Sequence, residues 1–322
     1  MKHEENVKYL GDMISGKGLA DSVAETVKMR KNLVIRSVYE IRAVVDDCRS
    51  INAGGLDAGL MIWEMAVIPM LLNNAECWIE MSKGVLDELE QLQIKFLKNL
   101  LATGSGCPTP VLYSETGCLL MELRIMQKKL LFLHHLETLP NDALAKEVLM
   151  VQKKLDWPGL GKECKPFLDM FGIFKVSEYS KYQWKKLVKT KIRDLNKSII
   201  VERTANQGYK RVDLDSLRED SFVKKSYFTA MNIHDARMRF TFSSRMLPTV
   251  KMNFQSDRKF MADLWTCSGC SQPGDAHGYR DSQEHILVCE GYSRLREGKD
   301  LCSDDGLVKY FQEVISVRLS TL

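Results

Sequence analysis

The sequence predicts a mainly α-helical bundle, opened by a short N-terminal β element and closed by a small C-terminal zinc-binding module. Three observations carry that expectation. Apolar residues recur at helical spacing through most of the chain, one segment near the N-terminus reads as a strand, and residues 264–296 hold three cysteines and two histidines among polar neighbours.

"VKYLGDMIS" at 7–15 reads as a strand ending in "SGKG", where Gly16 and Gly18 supply the backbone freedom of a tight turn. From Val23 the apolar positions 23, 27, 34, 38, 41, 45 and 48 keep helical spacing, so this segment is an amphipathic helix with a basic outer face, broken by "GGL" at 54–56. "DAGLMIWEMAVIPMLLNNAECW" is apolar on nearly every side. It is expected as a buried helix at the core's centre, bent or ended near Pro69. "SKGVLDELEQLQIKFLKNLLATGSG" sets Val85, Leu89, Leu92, Phe96 and Leu100 on one face and stops at a Gly-Ser-Gly loop. "MELRIMQKKLLFLHHLETL" forms a further apolar helix before Pro140, with one of His134 and His135 facing inward and the other outward. Shorter helical patterns fill 141–155, 176–200 and 214–231, and a terminal helix, "DDGLVKYFQEVISVRL", has Ser303 or Asp304 as its cap.

The chain of 322 residues, 45% hydrophobic and 27% charged, can bury a sizeable core. Its longest strongly apolar run, Leu60 to Leu72, is interrupted by Glu64 and Pro69 and falls short of the roughly 20 residues a bilayer span needs, so no membrane partner is expected. The start "MKHEENVKYLG" has no apolar signal-like region, and nine scattered cysteines form no disulfide framework, which together suggest a reducing, intracellular setting. A net charge of +4 is mild. Its distribution is uneven: between Lys181 and Arg211 ten Lys or Arg stand against Asp194 and Glu202.

Cys267 and Cys270 form a CxxC around Gly269, the spacing at which a turn aims two thiolates at one ion. His285 and Cys289 are four apart, one turn on a helix that Asp281 and Glu284 would cap as a box. The pattern C-x2-C-x14-H-x3-C supplies four ligands, which suits structural zinc and leaves no open position for catalysis. His277 competes as a ligand and Cys302 more weakly; the bland alternative is that these cysteines are small hydrophobes. Cys48, Cys77, Cys107, Cys118 and Cys164 read as packing residues.

Several segments resemble reverse transcriptases of non-LTR retrotransposons. "VKYLGDMIS" is similar to the strand and turn that follow the polymerase palm in that family. "AVIPMLLNNAECW" is similar to a helix matched here by Ile68, Pro69, Leu71, Leu72, Glu76 and Trp78, and "LEQLQIKFLKNLLATGSGCPTPVLYSETGCLLMELRI" to the thumb region. "ARMRFTFSSRMLPTVKMNF", followed by "WTCSGC" and "EHILVCEGYSRLR", resembles the family's arginine-rich segment and CCHC zinc motif. The resemblance implies residues 1–22 as the end of a palm-like strand and turn, 23–140 as a thumb-like helical bundle, 141–250 as a helical connection with the basic block, and 251–322 as the CCHC module and terminal helix. It departs from the family where chemistry is concerned. The palm's aspartate hairpin would precede the KYLG segment, and six residues precede it here. Asp46 and Asp47 are adjacent, but they follow that segment and end a helix, so they read as a solvated helix end rather than a Mg²⁺ site.

The expectation is therefore a nucleic-acid-binding, catalytically silent chain, not an enzyme by itself. RNA or an RNA–DNA hybrid is the expected partner, target DNA a further one, with a palm domain supplied by a longer chain. Lys28, Arg30, Lys31, Arg36, Arg42, Lys95 and Lys98 are cations a thumb would turn to a backbone, or ordinary solvated faces. The basic block is the stronger candidate: Lys181, Lys185, Lys186, Lys189, Lys191 and Arg193 neutralise phosphate, while Trp184 either stacks on a base or anchors its helix, and Tyr182 lies among them. Arg237, Arg239 and Arg245 form a second cluster, and Arg280, Arg294 and Arg296 lie within the zinc module. The rival class is a vestigial or host-adopted helical protein-interaction scaffold stapled by zinc.

Overall fold

The computed structural model of the chain describes residues 6–9, 11–47, 54–207, 212–244 and 283–320, with backbone only at 6, 283–285, 290 and 318–320. Among the described residues the protein is mainly helical, with one two-stranded sheet at its N-terminal end. That sheet corrects the expectation of a single strand. β1 (Asn6–Tyr9) and β2 (Asp12–Ser15) pair antiparallel, Tyr9 opposite Asp12, because Gly11 takes φ +88° and reverses the chain. "LG" carries no Asn, Asp or Pro, so its turn signal is faint. β2 is fastened to the first helix, α1 (Leu19–Asp47), by Met13 N–H donating to Thr26 Oγ1 at 2.8 Å and Ser15 N–H to Ser22 Oγ at 2.8 Å.

α1 buries Val23, Val27, Val34, Val38, Ile41 and Val45, the face its periodicity predicts, and packs against α2 (Gly55–Ile62) and α4 (Lys83–Leu100). Between α2 and the short α3 (Ile68–Leu71) the backbone widens into a π turn over Trp63–Val67, with Ile68 N–H reaching back to Trp63 O. Pro69 explains it: a proline has no N–H to offer and its ring crowds the preceding turn, so the ladder shifts by one residue upstream and the helix ends two residues downstream. The expectation of all-round burial holds for one side of the segment: Leu60, Trp63, Val67, Ile68, Leu71, Leu72, Ala75 and Trp78 are buried. Met61, Ile62, Met65 and Met70 are exposed. Trp63 stacks on Phe96 of α4, ring centroids 4.1 Å apart and planes 6° apart.

α4 begins at Ser82, whose hydroxyl accepts from Val85 N–H, and buries Val85, Leu89, Leu92, Phe96 and Leu100 as expected. α5 (Thr109–Thr116) ends on Gly117 at φ +67°, and α6 (Met121–Thr138) then runs through the middle of the molecule. It touches α4, α7 (Leu144–Lys154), α8 (Leu160–Phe171) and the long α9 (Lys181–Gln207). His134 is buried, its Nε2 2.8 Å from Tyr179 O, and His135 is exposed. α10 (Leu214–Glu219), α11 (Tyr227–Ala230) and α12 (Ile233–Ser243) follow. One hydrophobic core runs from Val23 to Phe240 without a break near residue 140 and takes in Val308 of the terminal helix, so the connection packs into the bundle's own core. A second, small cluster belongs to the C-terminal segment: α13 (Gln283–Val288), α14 (Ser293–Arg296) and α15 (Asp304–Ser320), the last capped by Ser303 Oγ accepting from Gly306 N–H at 3.1 Å. No helix among the described residues is long and apolar enough to cross a membrane.

Arg30, placed above among exposed cations, is 3% exposed. Its Nη2 donates to Gly11 O at 2.9 Å and to Asp12 Oδ1 at 2.7 Å, its Nη1 to Asn73 O and Leu71 O, and its guanidinium lies 5.5 Å from the Trp78 ring centroid. Asn74, in the left-handed region at φ +54°, donates to the other oxygen of Asp12. Burial works to lower the Arg30 pKa and Asp12 opposes it. Arg30→Met should cost on the order of 3–5 kcal/mol in urea unfolding, because it strands Asp12 and three carbonyl groups. A loss below about 1 kcal/mol would show that the hairpin and α3 are held elsewhere.

Candidate nucleic-acid interface

α9 carries the basic block, and its two sides have different jobs. Trp184, Val188, Ile192, Asn196, Ile200 and Thr204, each four residues on from the last, are buried. That row meets α6 and fixes α9 in place. Trp184 is 1% exposed; its Nε1–H donates to Leu130 O at 2.9 Å and its ring packs 5.8 Å from His134 and 5.7 Å from Tyr179. Asn196 clamps the loop before α6, accepting from Leu120 N–H at 3.0 Å and donating to Cys118 O at 3.3 Å. Of the two readings of Trp184, the anchor is the one realised. A ring enclosed on all sides has no face to offer a base.

One residue along from that row run Lys181, Lys185, Lys189 and Arg193, all exposed, with Lys186 exposed beside them and Lys191 half-buried. None of these six has an ion-pair partner among the described residues. By contrast, the cations that a thumb would turn to a backbone are occupied: Lys28 with Glu25, Lys31 with Glu88, Arg36 with Glu40, Arg42 with Asp46 and Asn99, Lys95 over Tyr39, and Lys98 on Ser105 O. Tyr182, 77% exposed, is the aromatic ring that shares the cationic side of α9.

The arginine-rich segment is corrected likewise. Arg237 donates to Leu100 O at 2.8 and 3.1 Å and to Asp46 Oδ1 at 2.7 Å, and Arg239 donates to Asp304 Oδ1 at 2.6 Å while lying over Tyr227 and Phe242. Both arginines therefore join α12 to its neighbours, to the ends of α1 and α4 on one side and to α15 on the other. Arg245 and Arg280 lie outside the described residues. Asp46 is no solvated helix end: partial burial opposes its charge, but Arg237 and Arg42 outweigh that and hold its carboxyl below the usual range. Its oxygens are already committed to guanidinium groups, which leaves Asp47 as a single exposed carboxylate.

Other titratable groups in the bundle are pushed by burial. The Glu90 carboxyl is raised to about 7 by burial, against a hydrogen bond from Met121 N–H, and the buried Cys118 thiol is raised to about 11. Cys107, Cys118 and Cys164 are buried as packing residues; Cys77, expected among them, is exposed, and Cys48 lies outside the described residues.

In the C-terminal segment α13 stops at Val288, so His285 sits on the helix and Cys289 just past its end, where a 3₁₀ turn over Glu290–Tyr292 begins. Cys289 is buried in the small cluster with Ile286, Tyr292, Tyr310 and Phe311, and its carbonyl accepts from Arg296 Nη1 at 2.6 Å. Cys267, Cys270 and His277 lie outside the described residues, as does the His285 side chain, while Cys302 is exposed. Among the described residues no group of three His, Cys, Asp or Glu gathers around one point. The donor chemistry and the one-turn spacing of His285 and Cys289 are compatible with zinc. Cys289 is equally placed to act as a small hydrophobe.

No protein-family model, curated protein or solved structure matches the chain.

Trp184→Phe keeps the ring and removes the bond to Leu130, so it should lower stability by about 1–2 kcal/mol and leave nucleic-acid affinity unchanged below the melting transition. Weakened binding with an unaltered melting temperature would return Trp184 to the interface.

Proposed function

We propose that the chain binds single-stranded or RNA–DNA hybrid nucleic acid along the outer ridge of α9, as the thumb-and-connection part of a non-LTR retrotransposon reverse transcriptase. One observation carries the reading: five exposed, neighbouring cations without ion-pair partners among the described residues, Lys181, Lys185, Lys186, Lys189 and Arg193, on a helix whose inner row is locked into the core. Such cations displace condensed counterions from a phosphate backbone, which is the main source of sequence-independent affinity. Tyr182 adds a π face for an unpaired base. The chain's own contribution in this reading is grip rather than catalysis, since Asp46 is consumed by Arg42 and Arg237.

The C-terminal segment is proposed to hold one structural zinc through Cys267, Cys270, His285 and Cys289. The metal would supply a fold-holding cross-link beside a cluster too small to stand alone. A second reading, a protein-interaction scaffold, has its own support: Leu144, Val148, Val151 and Leu155 form an exposed apolar row along α7.

Binding to a labelled single strand should fall linearly in log salt, with a slope of roughly 0.7–0.9 per phosphate contact. Neutralising Lys185 and Lys189 together should reduce that slope by about 1.4–1.8 and weaken all sequences alike. Absent or salt-independent binding would favour the scaffold.

Metal analysis of the purified chain should find one zinc, released by Cys270→Ser with loss of order confined to the C-terminal segment. Full retention of zinc in that variant would show that the ligand set is wrong.

A further inference from the structure

Beside the α9 ridge lies a cleft of about 320 Å³ that the proposed grip does not explain. One wall comes from the π-bulged helix, where Met61 is 51% and Met65 73% exposed. The other comes from α9, through Lys189 and Arg193. Lys224 closes the rim and is ion-paired to Asp57.

The cleft is built, rather than left over between elements. Glu64 and Arg124 cross it with a bidentate ion pair at 2.7 and 2.5 Å. The segment bearing Lys224 is pressed against the end of α5: Lys225 N–H donates to Glu115 O at 3.0 Å, and a Cβ at Gly117 would stand 2.5 Å from Lys224 N. Only glycine fits there, at φ +67°. With Glu64 and Asp57 neutralised by Arg124 and Lys224, the charge left over is that of Lys189 and Arg193.

A cleft with two uncommitted cations on one wall and two solvent-facing thioethers on the other suits a ligand that is anionic at one end and a flat, polarisable ring at the other. Thioether sulfur makes favourable contacts with aromatic rings, and the volume is at the low end of ligand sites. A duplex is too wide for it, and a base can enter only when it is out of a stack.

We propose that this cleft receives one unpaired nucleotide of a strand bound on the ridge, its base against Met61 and Met65 and its phosphate between Lys189 and Arg193. The proposal rests on the nucleic-acid reading of α9 and adds a base-recognising subsite to it. Because both methionines are exposed, truncating them leaves the core untouched.

Fluorescence anisotropy with a labelled single strand and its abasic counterpart tests it. The protein should prefer the base-bearing strand by on the order of tenfold, and Met61→Ala with Met65→Ala should remove most of that preference. Affinity for the abasic strand, the salt slope and the melting temperature should stay as they were. Equal affinity for the two strands, or a preference that survives the methionine variant and disappears only in Tyr182→Ala, would overturn the cleft while leaving the ridge. Loss of salt-dependent binding to both strands would overturn the ridge itself.

Discussion

Arg30 carries a positive charge into a place that is 3% exposed, and a charge withdrawn from water is tolerated only when it is paired and hydrogen bonded on every side. That requirement fixes three segments at once. The hairpin must bring Gly11 O and Asp12 to the guanidinium, α3 must end so that Leu71 O and Asn73 O face it, and Trp78 must cover it. With both ends of α1's neighbourhood set in this way, α1 can lay its valine row on α4, and α4 in turn seats α6 and then α9. Arg237 does the same at the other end of α1, tying Asp46 and the last carbonyl of α4 to α12.

The helices were legible because burial leaves a periodic trace: the faces of α1 and α4 follow their apolar spacing residue for residue. The destination of an arginine leaves none. Arg30, Arg237 and Arg239 look like surface charge in one dimension, since their carbonyl and carboxylate partners lie 18 to 191 positions away, and only packing reveals them. Trp184 was ambiguous for a similar reason. Its four-residue spacing with Val188 and Ile192 pointed to the core, while its basic neighbours pointed outward, and the spacing decided. The Pro69 break was readable, but the π turn that accommodates it was not, because apolar spacing does not say whether a proline kinks its helix, ends it or widens the turn before it.

Arginine-rich and lysine-rich segments therefore play opposite parts here. A planar guanidinium with five donors can satisfy several carbonyl groups at once, so Arg237 and Arg239 serve as joints between helices. A lysine ammonium is a strongly hydrated point charge on a flexible stem, suited to a loose grip on phosphate. The arginine joints of α12 follow that division, the lysine ridge of α9 follows it in the proposed reading, and the sum of positive charge in either segment would not have distinguished them.

The ridge also has an energetic cost that demands an offset. Lys181, Lys185, Lys189, Arg193 and Lys197 are like charges at four-residue spacing, and each adjacent pair destabilises a helix by a few tenths of a kcal/mol, about 1–2 kcal/mol along the row. Within the bundle, cations on α1 are relieved by acidic neighbours such as Glu40 and Glu88. On α9 the inner row of Trp184, Val188, Ile192 and Asn196 holds the helix against that repulsion. A strand of phosphates laid on the ridge would remove the repulsion and add attraction. Affinity would then come partly from relief of a strain that the free protein already bears, and the buried tryptophan that touches no ligand would be what allows the helix to bear it.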